Sequence, residues 1–205
     1  TGCYALTGYI VDGCIEAHLG CYSDSRVGAV VGRITETNVN FNRRGVGNGI
    51  NRLGLLRTNL GGDKASWVQA VKGANMSFRR RALYDIGGFD EGYKGTAYLE
   101  EVDASERIRT AGWLIRFEPK AEIVHYAAPA GGVRVGSKEK TEQWRFRNTG
   151  YFLGKNRGIL QGGFGHLTYT AVALKRALEW RDTRAPVALM VALLSGWKEG
   201  RGVSN

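Results

Sequence analysis

The run from Val27 to Ile34, VGAVVGRI, constrains the fold of this chain more than any other segment of its 205 residues. Its apolar, mostly β-branched residues follow one another without the alternation expected of a strand that has one solvated face. Such a run is typical of a strand whose sheet is covered on both faces. Helical and strand-like patterns alternate along much of the chain, so the sequence predicts an α/β architecture.

The neighbouring segments predict the remaining elements. Helices are expected from Ile15 to Cys21, over residues 104–111 and over most of the chain beyond Ser137. A further helix is expected after an N-cap at Ser77, with Phe78, Ala82 and Ile86 on one face. Strands are expected at Trp67 to Val71, and at Leu114 to Phe117 and Ile123 to Val124 on either side of a turn at Pro119. Residues 35–66 are rich in Asn, Gly and Arg, which predicts a long surface excursion. An amphipathic stripe predicts a packing face formed by Leu167, Ala171, Leu174 and Leu178.

The composition indicates a globular protein with a basic surface. The chain is 43% hydrophobic and 23% charged, and its formal net charge is +10. Most of this excess lies between Arg145 and Arg201, where ten Lys and Arg residues accompany three acids. A positive surface favours polyanions: nucleic acid, anionic lipid, or the phosphates of a nucleotide sugar. The longest apolar run, Pro186 to Leu194, is far shorter than the ~20 residues that cross a bilayer.

Two turns that contain glycine are candidate ligand-binding segments. In the first, Lys72 to Arg80 with the sequence KGANMSFRR, a strand ends in a glycine and small residues before a helix begins. Glycine allows the backbone to approach a ligand closely, and the N-terminus of a helix offers free N–H groups to an anion. The second, Gly87 to Glu91 with the sequence GGFDE, places an aromatic ring and carboxylates beside a flexible turn. Taken alone, each segment is also compatible with an ordinary turn or helix end.

A cluster of acids lies at the start of a predicted helix. Glu100, Glu101 and Asp103 fall within four residues of the segment YLEEVD. Complementation of the helix dipole, at ~0.3–1 kcal/mol for each acid, explains one or two of them. Like charges held close together raise at least one pKa, which suits a general base that takes a proton from a sugar hydroxyl. His125 follows a predicted strand, where α/β enzymes place functional groups, although a single histidine is more often structural.

Together these motifs resemble the second half of the family 2 glycosyltransferases, which are inverting enzymes of the GT-A fold. The resemblance is densest from Lys72 to Tyr126, where a GANMSFRR-like turn, GGFDE, an acidic pair followed by x-Asp, an AG-aromatic turn and a strand ending in His occur in the family's order. It extends more loosely back to about Ile15 and forward to the RN…YF…KN pattern of Arg147 to Asn156. The resemblance implies a GT-A-like (Rossmann-like) mixed sheet flanked by helices, without the N-terminal nucleotide-binding strands and with a helical C-terminal tail.

The resemblance also implies roles for individual residues. Glu101 occupies the position of the family's catalytic base, where Asp is more common, and it would deprotonate the acceptor hydroxyl for in-line attack at the anomeric carbon. Glu100 and Asp103 would flank it, and Asp103 would orient the base or anchor the helix. His125 matches a histidine that in some members helps to hold the metal or the diphosphate. Two turns would lie near the donor sugar and the acceptor: Gly73, Ala74 and Asn75 against the donor sugar, and Gly87, Gly88, Phe89 and Asp90 near the sugar and the acceptor.

One motif of the family is missing from the chain. An Asp-rich motif that binds Mn²⁺ or Mg²⁺ on the nucleotide diphosphate is expected near Ala5-Leu6-Thr7, because the charge on the leaving diphosphate must be neutralised. No aspartate is present there. Two explanations are open: the chain is a fragment, or it is a divergent member whose diphosphate is held by basic residues. The fragment is favoured, and it predicts that this chain alone binds nucleotide sugars weakly.

The expected partners are a nucleotide-sugar donor and a glycan or lipid-linked acceptor, as in the biosynthesis of cell-envelope polysaccharides. Residues 1–136 are predicted to form the catalytic, acceptor-side half, and residues 137–205 a basic helical extension. The protein is expected in the cytoplasm. A further expectation is a peripheral position at the inner face of the cell membrane. Arg145 to Asn156, where aromatic and basic residues are interleaved, is expected either to pack as a helix, which is favoured, or to rest on an anionic membrane.

The sequence is also compatible with other functions. The chain could be a non-catalytic glycan- or protein-binding module in which the acidic cluster is structural. An exposed sheet edge in a half-domain would favour a homo-oligomer. Nucleic-acid binding is disfavoured, because the chain lacks a helix-turn-helix signature and the aromatic, basic surface of single-strand binders.

Overall fold

A computed structural model describes residues 4–5, 8–36, 46–51, 55–126 and 136–203 of the chain. The described strands are β1 (Tyr4–Ala5), β2 (Gly8–Ile10), β3 (Val27–Glu36), β4 (Gly47–Ile50), β5 (Leu56–Asn59), β6 (Ser66–Trp67), β7 (Met76–Phe78) and β8 (Leu114–His125). The described helices are α1 (Cys14–Cys21), α2 (Arg80–Asp85), α3 (Glu100–Thr110), α4 (Lys138–Asn156), α5 (Ile159–Trp180) and α6 (Ala185–Gly202).

These elements form two compact units whose segments interleave along the chain. The first unit comprises Thr1–Gly49, Leu56–Phe89 and Ala104–Gly132, and the second comprises Ile50–Leu55, Asp90–Asp103 and Val133–Asn205. The domain boundary predicted after residue 136 adjoins residues 127–135, which lie outside the described residues, and it stays a prediction.

The first unit is built on a mixed sheet with β8 as its longest strand. β3 pairs with one edge of β8 in parallel, and β7 pairs with β3 antiparallel. β2 and β6 both pair antiparallel with β8, β2 at residues 123–125 and β6 at residues 116–117, and β1 follows β2. This mixed sheet and its helices confirm the predicted α/β class and are consistent with a GT-A-like partial fold.

β3 is buried over most of its length, as its unbroken apolar sequence predicts. Its residues Ala29 and Val31 pack in one core with Ile115 and Phe117 of β8 and Ile108 of α3. Complete burial of large apolar side chains of this kind stabilises a fold by ~1.5–3 kcal/mol each. The core therefore fixes the central strands, whose ends and neighbouring turns carry several of the predicted site residues.

The prediction of a helix capped by Ser77 is wrong. Ser77 lies within β7, opposite Val30 of β3, and α2 begins only at Arg80. The two strands predicted around Pro119 are a single strand, because residues 119–121 form a bulge where the register of β8 shifts against Gly32 and Arg33. A bulge tolerates proline because its N–H position is not needed for pairing.

The segment predicted as a surface excursion contains regular structure. β4 and β5 form a two-stranded sheet, and the buried Leu60 accepts a hydrogen bond of 3.1 Å from the N–H of Ile34. The strand predicted from Trp67 to Val71 is shorter than expected, since β6 comprises only residues 66–67. The strands within this segment and the short length of β6 are both determined by pairing with other strands rather than by local composition.

In the second unit, α4 and α6 approach each other at glycines. A side chain on Gly150 of α4 would overlap the carbonyl oxygen of Leu193, and one on Gly196 of α6 would overlap that of Arg147. Absence of a Cβ at such positions lets two helix backbones come into close contact. The segment around Arg145 to Asn156 packs as a helix, α4. Three of its interleaved aromatic residues, Phe146, Tyr151 and Phe152, are buried, and Trp144 is partly exposed.

The prediction that the α5 stripe is a packing face is wrong. Leu167, Leu174 and Leu178 are exposed, and α5 instead buries the opposite side of the helix, which contains Tyr169 and Ala173. Helical periodicity identifies residues that share a face but does not determine which face is covered. In the described part of the chain, no helix combines the length and apolar character needed to cross a membrane.

Gly196→Ala is expected to lower the free energy of unfolding by about 1–3 kcal/mol, because its Cβ forces α4 and α6 apart. The matched control is Gly163→Ala in α5, where an added Cβ meets open space. That control is expected to stabilise the protein by about 0.5–1 kcal/mol, since alanine favours a helix over glycine. Urea unfolding of both variants measures the difference, and equal effects would contradict the close helix contact.

Candidate active site

A cleft of about 460 Å³ opens in the first unit beside the turn that precedes β7. Gly73, Ala74 and Asn75 line it together with His125 at the end of β8. Apolar residues from β2 and α1 complete part of its wall, among them Ile10, Ile15 and Leu19. Its volume lies in the range of small-molecule sites. Four of the predicted site residues therefore share one cleft.

Asn75 is buried, and its contacts fix the orientation of its side-chain amide. The Nδ2 group donates to the carbonyl oxygens of Arg33, at 2.9 Å, and Ala121, at 2.8 Å. Because both amide hydrogens are used, Oδ1 serves as the acceptor, and Nε2 of His18 lies 2.8 Å from it. Gly32 makes room for this arrangement, since a Cβ at Gly32 would overlap the amide.

His18 continues the hydrogen-bonded chain on its other side. Its Nδ1 lies 2.8 Å from Oγ of Ser77, which in turn lies 2.8 Å from the hydroxyl of Tyr22. In the tautomer in which Nε2 donates to Asn75, Nδ1 accepts the proton of Ser77, and Tyr22 donates to Ser77. Burial raises the pKa of Tyr22 to about 12, although the hydrogen bond to Ser77 opposes this. The Tyr22 hydroxyl therefore keeps its proton at neutral pH.

The sequence did not predict His18, Ser77 or Tyr22 as site residues. His18 is separated from Asn75 by 57 positions, so no local motif links the two. One available signal was the position of His18 four residues after Cys14, on the face that α1 buries. A buried histidine on such a face needs polar partners from another segment.

The turn at residues 87–88 is held by contacts within the first unit. Gly87 and Gly88 have left-handed backbone angles, with φ of 71° and 81°. Arg107 of α3 donates to the carbonyl oxygens of Ile86, at 2.6 Å, and Gly88, at 2.8 Å. The ring of Phe89 packs edge-on against Phe78, with 5.5 Å between ring centres. These contacts give the predicted acceptor-side turn a defined shape.

His125, the residue expected to help hold a metal, has an acidic neighbour on β3. Its Nδ1 lies 3.8 Å from Oε1 of Glu36, its partner on β3. Across the described segments, no group of three or more His, Cys, Asp and Glu side chains is arranged around a common point. Leu6 and Thr7, at the expected Asp-rich position, lie outside the described residues. The expected Mn²⁺ or Mg²⁺ therefore stays a prediction from the resemblance.

In the second unit, Asp90 and Asp103 are joined by one lysine. The Nζ group of Lys155 in α4 lies 2.6 Å from Oδ2 of Asp90 and 3.0 Å from the carboxylate of Asp103. The Lys155 side chain is 6% exposed and that of Asp103 is 0% exposed. Asn156 donates to Asp103 at 2.9 Å, and the hydroxyl of Tyr151 donates to Asp90 at 3.0 Å. Asp103 is therefore an anchor of the α3 N-terminus rather than a group open to substrate.

Glu100 and Glu101 precede this anchor in the first turn of α3. Glu101 is buried, with 9% of its surface exposed, and Glu100 is partly exposed. Burial and, second, the charge of Glu101 raise the pKa of Glu100 above its ordinary value. The neighbouring acid thus contributes to the raised pKa of Glu100, as the clustering predicts, although burial is the larger cause. The two carboxylates form an acidic pair at the start of α3.

The segment that leads into this acidic pair has an unusual backbone. Ala97 and Leu99 are not glycines, yet they adopt left-handed φ angles of 49° and 74°. Such conformations cost of order 1–3 kcal/mol each and persist where the surrounding structure fixes them. Leu99 is buried, which fixes the residue immediately before Glu100. Strain of this kind is frequent at functional sites, and here it sets the direction from which α3 begins.

The predicted site residues are divided between the two units. The first unit contains those of the two turns and the strand end: Gly73, Ala74, Asn75, Gly87, Gly88, Phe89 and His125. The second unit contains the acids: Asp90, Glu100, Glu101 and Asp103. Each group has its own geometry, a cleft with a hydrogen-bonded wall in the first unit and an anchored acidic pair in the second.

Comparison with known proteins gives a partial match. No family model matches the chain. Two curated proteins, from the CDC 1551 / Oshkosh and ATCC 25618 / H37Rv strains of Mycobacterium tuberculosis, are each 40% identical to it over 62 residues. Both are named N-acetylglucosaminyl-diphospho-decaprenol L-rhamnosyltransferase, and the match covers 30% of this chain but only 20% of each relative. This similarity supports a relationship between the chain and glycosyltransferases.

Proposed function

We propose that this chain is the acceptor-side half of the catalytic domain of an inverting, family 2-like glycosyltransferase. It transfers a sugar from a nucleotide-sugar donor to a hydroxyl group of the acceptor. The observation that carries the proposal is the acidic pair Glu100 and Glu101, which begins α3 directly after a strained segment. The ordered motifs around this pair and the partial similarity to two rhamnosyltransferases support it.

In the proposed reaction, Glu101 is the general base. Its carboxylate takes the proton of the acceptor hydroxyl while the hydroxyl oxygen forms a bond to the anomeric carbon of the donor sugar. The bond from that carbon to the diphosphate breaks on the opposite side, and the diphosphate leaves with the electron pair, which inverts the configuration. Such a base acts only when its carboxylate is held within hydrogen-bond reach of the hydroxyl.

Asp103 and Lys155 support this chemistry by holding the first turn of α3 in place. Catalysis loses efficiency when a reacting group is displaced even slightly, so an anchored helix start has functional value. In the first unit, the cleft at Gly73, Ala74 and Asn75 is the proposed site for the donor sugar. The hydrogen bonds of Asn75 to Arg33, Ala121 and His18 hold this turn in a fixed shape.

The names of the two relatives suggest the class of acceptor. They act on N-acetylglucosamine linked through a diphosphate to decaprenol, as their names state. For this chain we propose a lipid-linked acceptor of the same class, reached at the cytoplasmic face of a cell membrane during the synthesis of envelope polysaccharide. The donor is a nucleotide sugar, and activated L-rhamnose is the first one to assay.

The experiment is a transfer assay with the chain, nucleotide-activated L-rhamnose and a short-chain N-acetylglucosaminyl-diphospho-prenol. Mass spectrometry detects the disaccharide product, and NMR determines its anomeric configuration. Transfer with inversion is expected, with a high KM for the donor because the chain contains no Asp-rich motif at the expected position. The proposal is wrong if a folded chain neither transfers the sugar nor binds the acceptor in a calorimetric titration, or if the product retains the donor's configuration.

A further inference from the structure

The outer face of α5 is an exposed apolar stripe. It comprises six residues at intervals of four and three along the helix: Leu160, Phe164, Leu167, Ala171, Leu174 and Leu178. The five large side chains of this stripe are between 55% and 82% exposed. At 100° per residue these positions fall on one side of the helix, opposite the buried Tyr169 and Ala173. A soluble surface seldom exposes so long a row of large apolar groups without a binding partner.

α6 has a similar stripe next to α5. Val187, Val191 and Leu194 are between 45% and 67% exposed, and they lie opposite the buried Leu189 and Leu193. The buried sides of both helices belong to one core, which also contains Phe146, Tyr169 and Ala173. The two stripes therefore face away from a shared core. We refer to the α5 stripe and these three α6 residues as the outer face.

Positive charge accompanies the outer face. Lys198 lies one turn after Leu194 on the same side of α6, and Lys175 follows Leu174 in α5 with 74% of its side chain exposed. Arg181 and Arg184 are exposed in the connection between the two helices. Residues 136–203 contain twelve Lys and Arg residues but only five acids. Long cationic side chains at the rim of an apolar surface suit the headgroup region of an anionic bilayer.

We propose that the outer face docks the chain on an anionic membrane surface, with the apolar side chains entering the boundary between headgroups and acyl chains. The proposal rests on the proposed function, because an acceptor linked to a polyprenol remains in the membrane and the enzyme must meet it there. Apolar contact and electrostatic attraction then act together, as in other helices that lie in the plane of a membrane. The segment Arg145 to Asn156 does not serve this purpose, since its aromatic residues are buried.

The test measures binding of the full chain to vesicles by flotation. Vesicles of phosphatidylcholine alone are compared with vesicles that also contain phosphatidylglycerol, and neither contains a donor or an acceptor. The wild-type chain is expected to bind the anionic vesicles, more weakly as salt is added, and to bind neutral vesicles poorly. Replacing both Leu167 and Leu174 by Gln, which changes no charge, is expected to lower binding at least about tenfold. The control Tyr84→Gln, at a similarly exposed apolar residue of α2, is expected to bind like the wild type.

Circular dichroism tests whether the variants remain folded. We expect that they do, because both leucines are exposed and contribute little to the core. The proposal is overturned if the wild-type chain ignores anionic vesicles or if the double variant binds them equally well. A second copy of the chain is the competing occupant of the outer face, and sedimentation velocity without lipid tests for it. If the wild-type chain is a dimer that does not bind vesicles, and the double substitution converts it to a monomer, the outer face is a contact between two copies. Vesicle binding by a chain that neither transfers the sugar nor binds the acceptor would retain this proposal and refute the proposed function, and transfer without vesicle binding would do the reverse.

Discussion

Glu101→Gln is expected to lower kcat for sugar transfer by about 10²–10⁴-fold, the range that a positioned general base contributes. Glutamine keeps the size of glutamate and can still form hydrogen bonds, but its amide takes up no proton at neutral pH. The loss should appear in kcat, because the base acts on the proton in the transition state rather than on the affinity for the donor. Initial rates at saturating donor and acceptor measure it, and the circular dichroism spectrum establishes that the variant is folded.

Glu100→Gln is the matched control, because it makes the same chemical change one residue away. It is expected to retain most of the activity, since Glu100 flanks the base. The sign of the effect of Glu100→Gln on the free energy of unfolding can be stated. Because the pKa of Glu100 is raised in the folded protein, ionisation of this group at neutral pH destabilises the fold. The variant should thus be at least as stable as the wild type near neutral pH, and the difference should shrink as falling pH protonates Glu100.

This pair of variants tests the role of each member of the acidic pair. Full transfer activity in a folded Glu101→Gln protein would show that Glu101 is not the base, whereas glycan binding by a wild-type chain that shows no transfer would favour a binding module. A larger loss in Glu100→Gln than in Glu101→Gln would assign the base to Glu100. Loss confined to Glu101→Gln is the result expected of the proposed mechanism.

Elements with a strong local pattern could be predicted from the sequence. The run from Val27 to Ile34 lies within β3 because unbroken β-branched residues fit a strand that is covered on both faces. The acids Glu100, Glu101 and Asp103 do lie in the first turn of a helix, where the helix dipole favours them. The start of α2 could not be predicted, because Ser77 is held in a strand by pairing with β3, a contact between distant segments.

The candidate site shows the same division between local and distant information. The motif that contains Asp103 was visible, but its role depends on Lys155, which is 52 positions away in the sequence. The RN…YF…KN pattern contained this lysine without indicating its partner. His18 was not identified, because its contacts with Asn75 and Ser77 form only when α1 packs beside β7. Sequence spacing can therefore identify a reactive residue type, while its hydrogen-bond partners depend on the tertiary fold.

Lys155→Met is expected to lower the free energy of unfolding by about 3–5 kcal/mol at neutral pH, because it leaves two carboxylates without their shared cation in a buried site. Burial alone would raise the pKa of Asp90, but the ammonium group of Lys155, together with the N–H of Gly92 and the hydroxyl of Tyr151, holds it below the ordinary value of 3.8. Asp103 is fully buried, and without Lys155 its carboxylate has no neutralising cation among its described contacts, although Asn156 still donates to it at 2.9 Å.

The pH dependence gives this experiment a second readout. A carboxyl group with a lowered folded-state pKa contributes stability above its unfolded pKa, and that contribution is lost as pH falls through the folded value. The cost of Lys155→Met should thus be largest at neutral pH and should shrink in acid, where the carboxyls are protonated and need no cation. Urea unfolding at a series of pH values measures both quantities.

Lys175→Met is the control, because the same substitution removes an exposed lysine whose nearest carboxylate, that of Glu179, is 3.7 Å away. An exposed pair of this kind contributes only about 0.3–0.5 kcal/mol. Adding Asp103→Asn to Lys155→Met should recover part of the lost stability, because it removes one of the unpaired charges. A cost below about 1 kcal/mol for Lys155→Met, or one that does not change with pH, would mean that the α3 start is held by packing alone. The anchor proposed for the acidic pair would then be wrong.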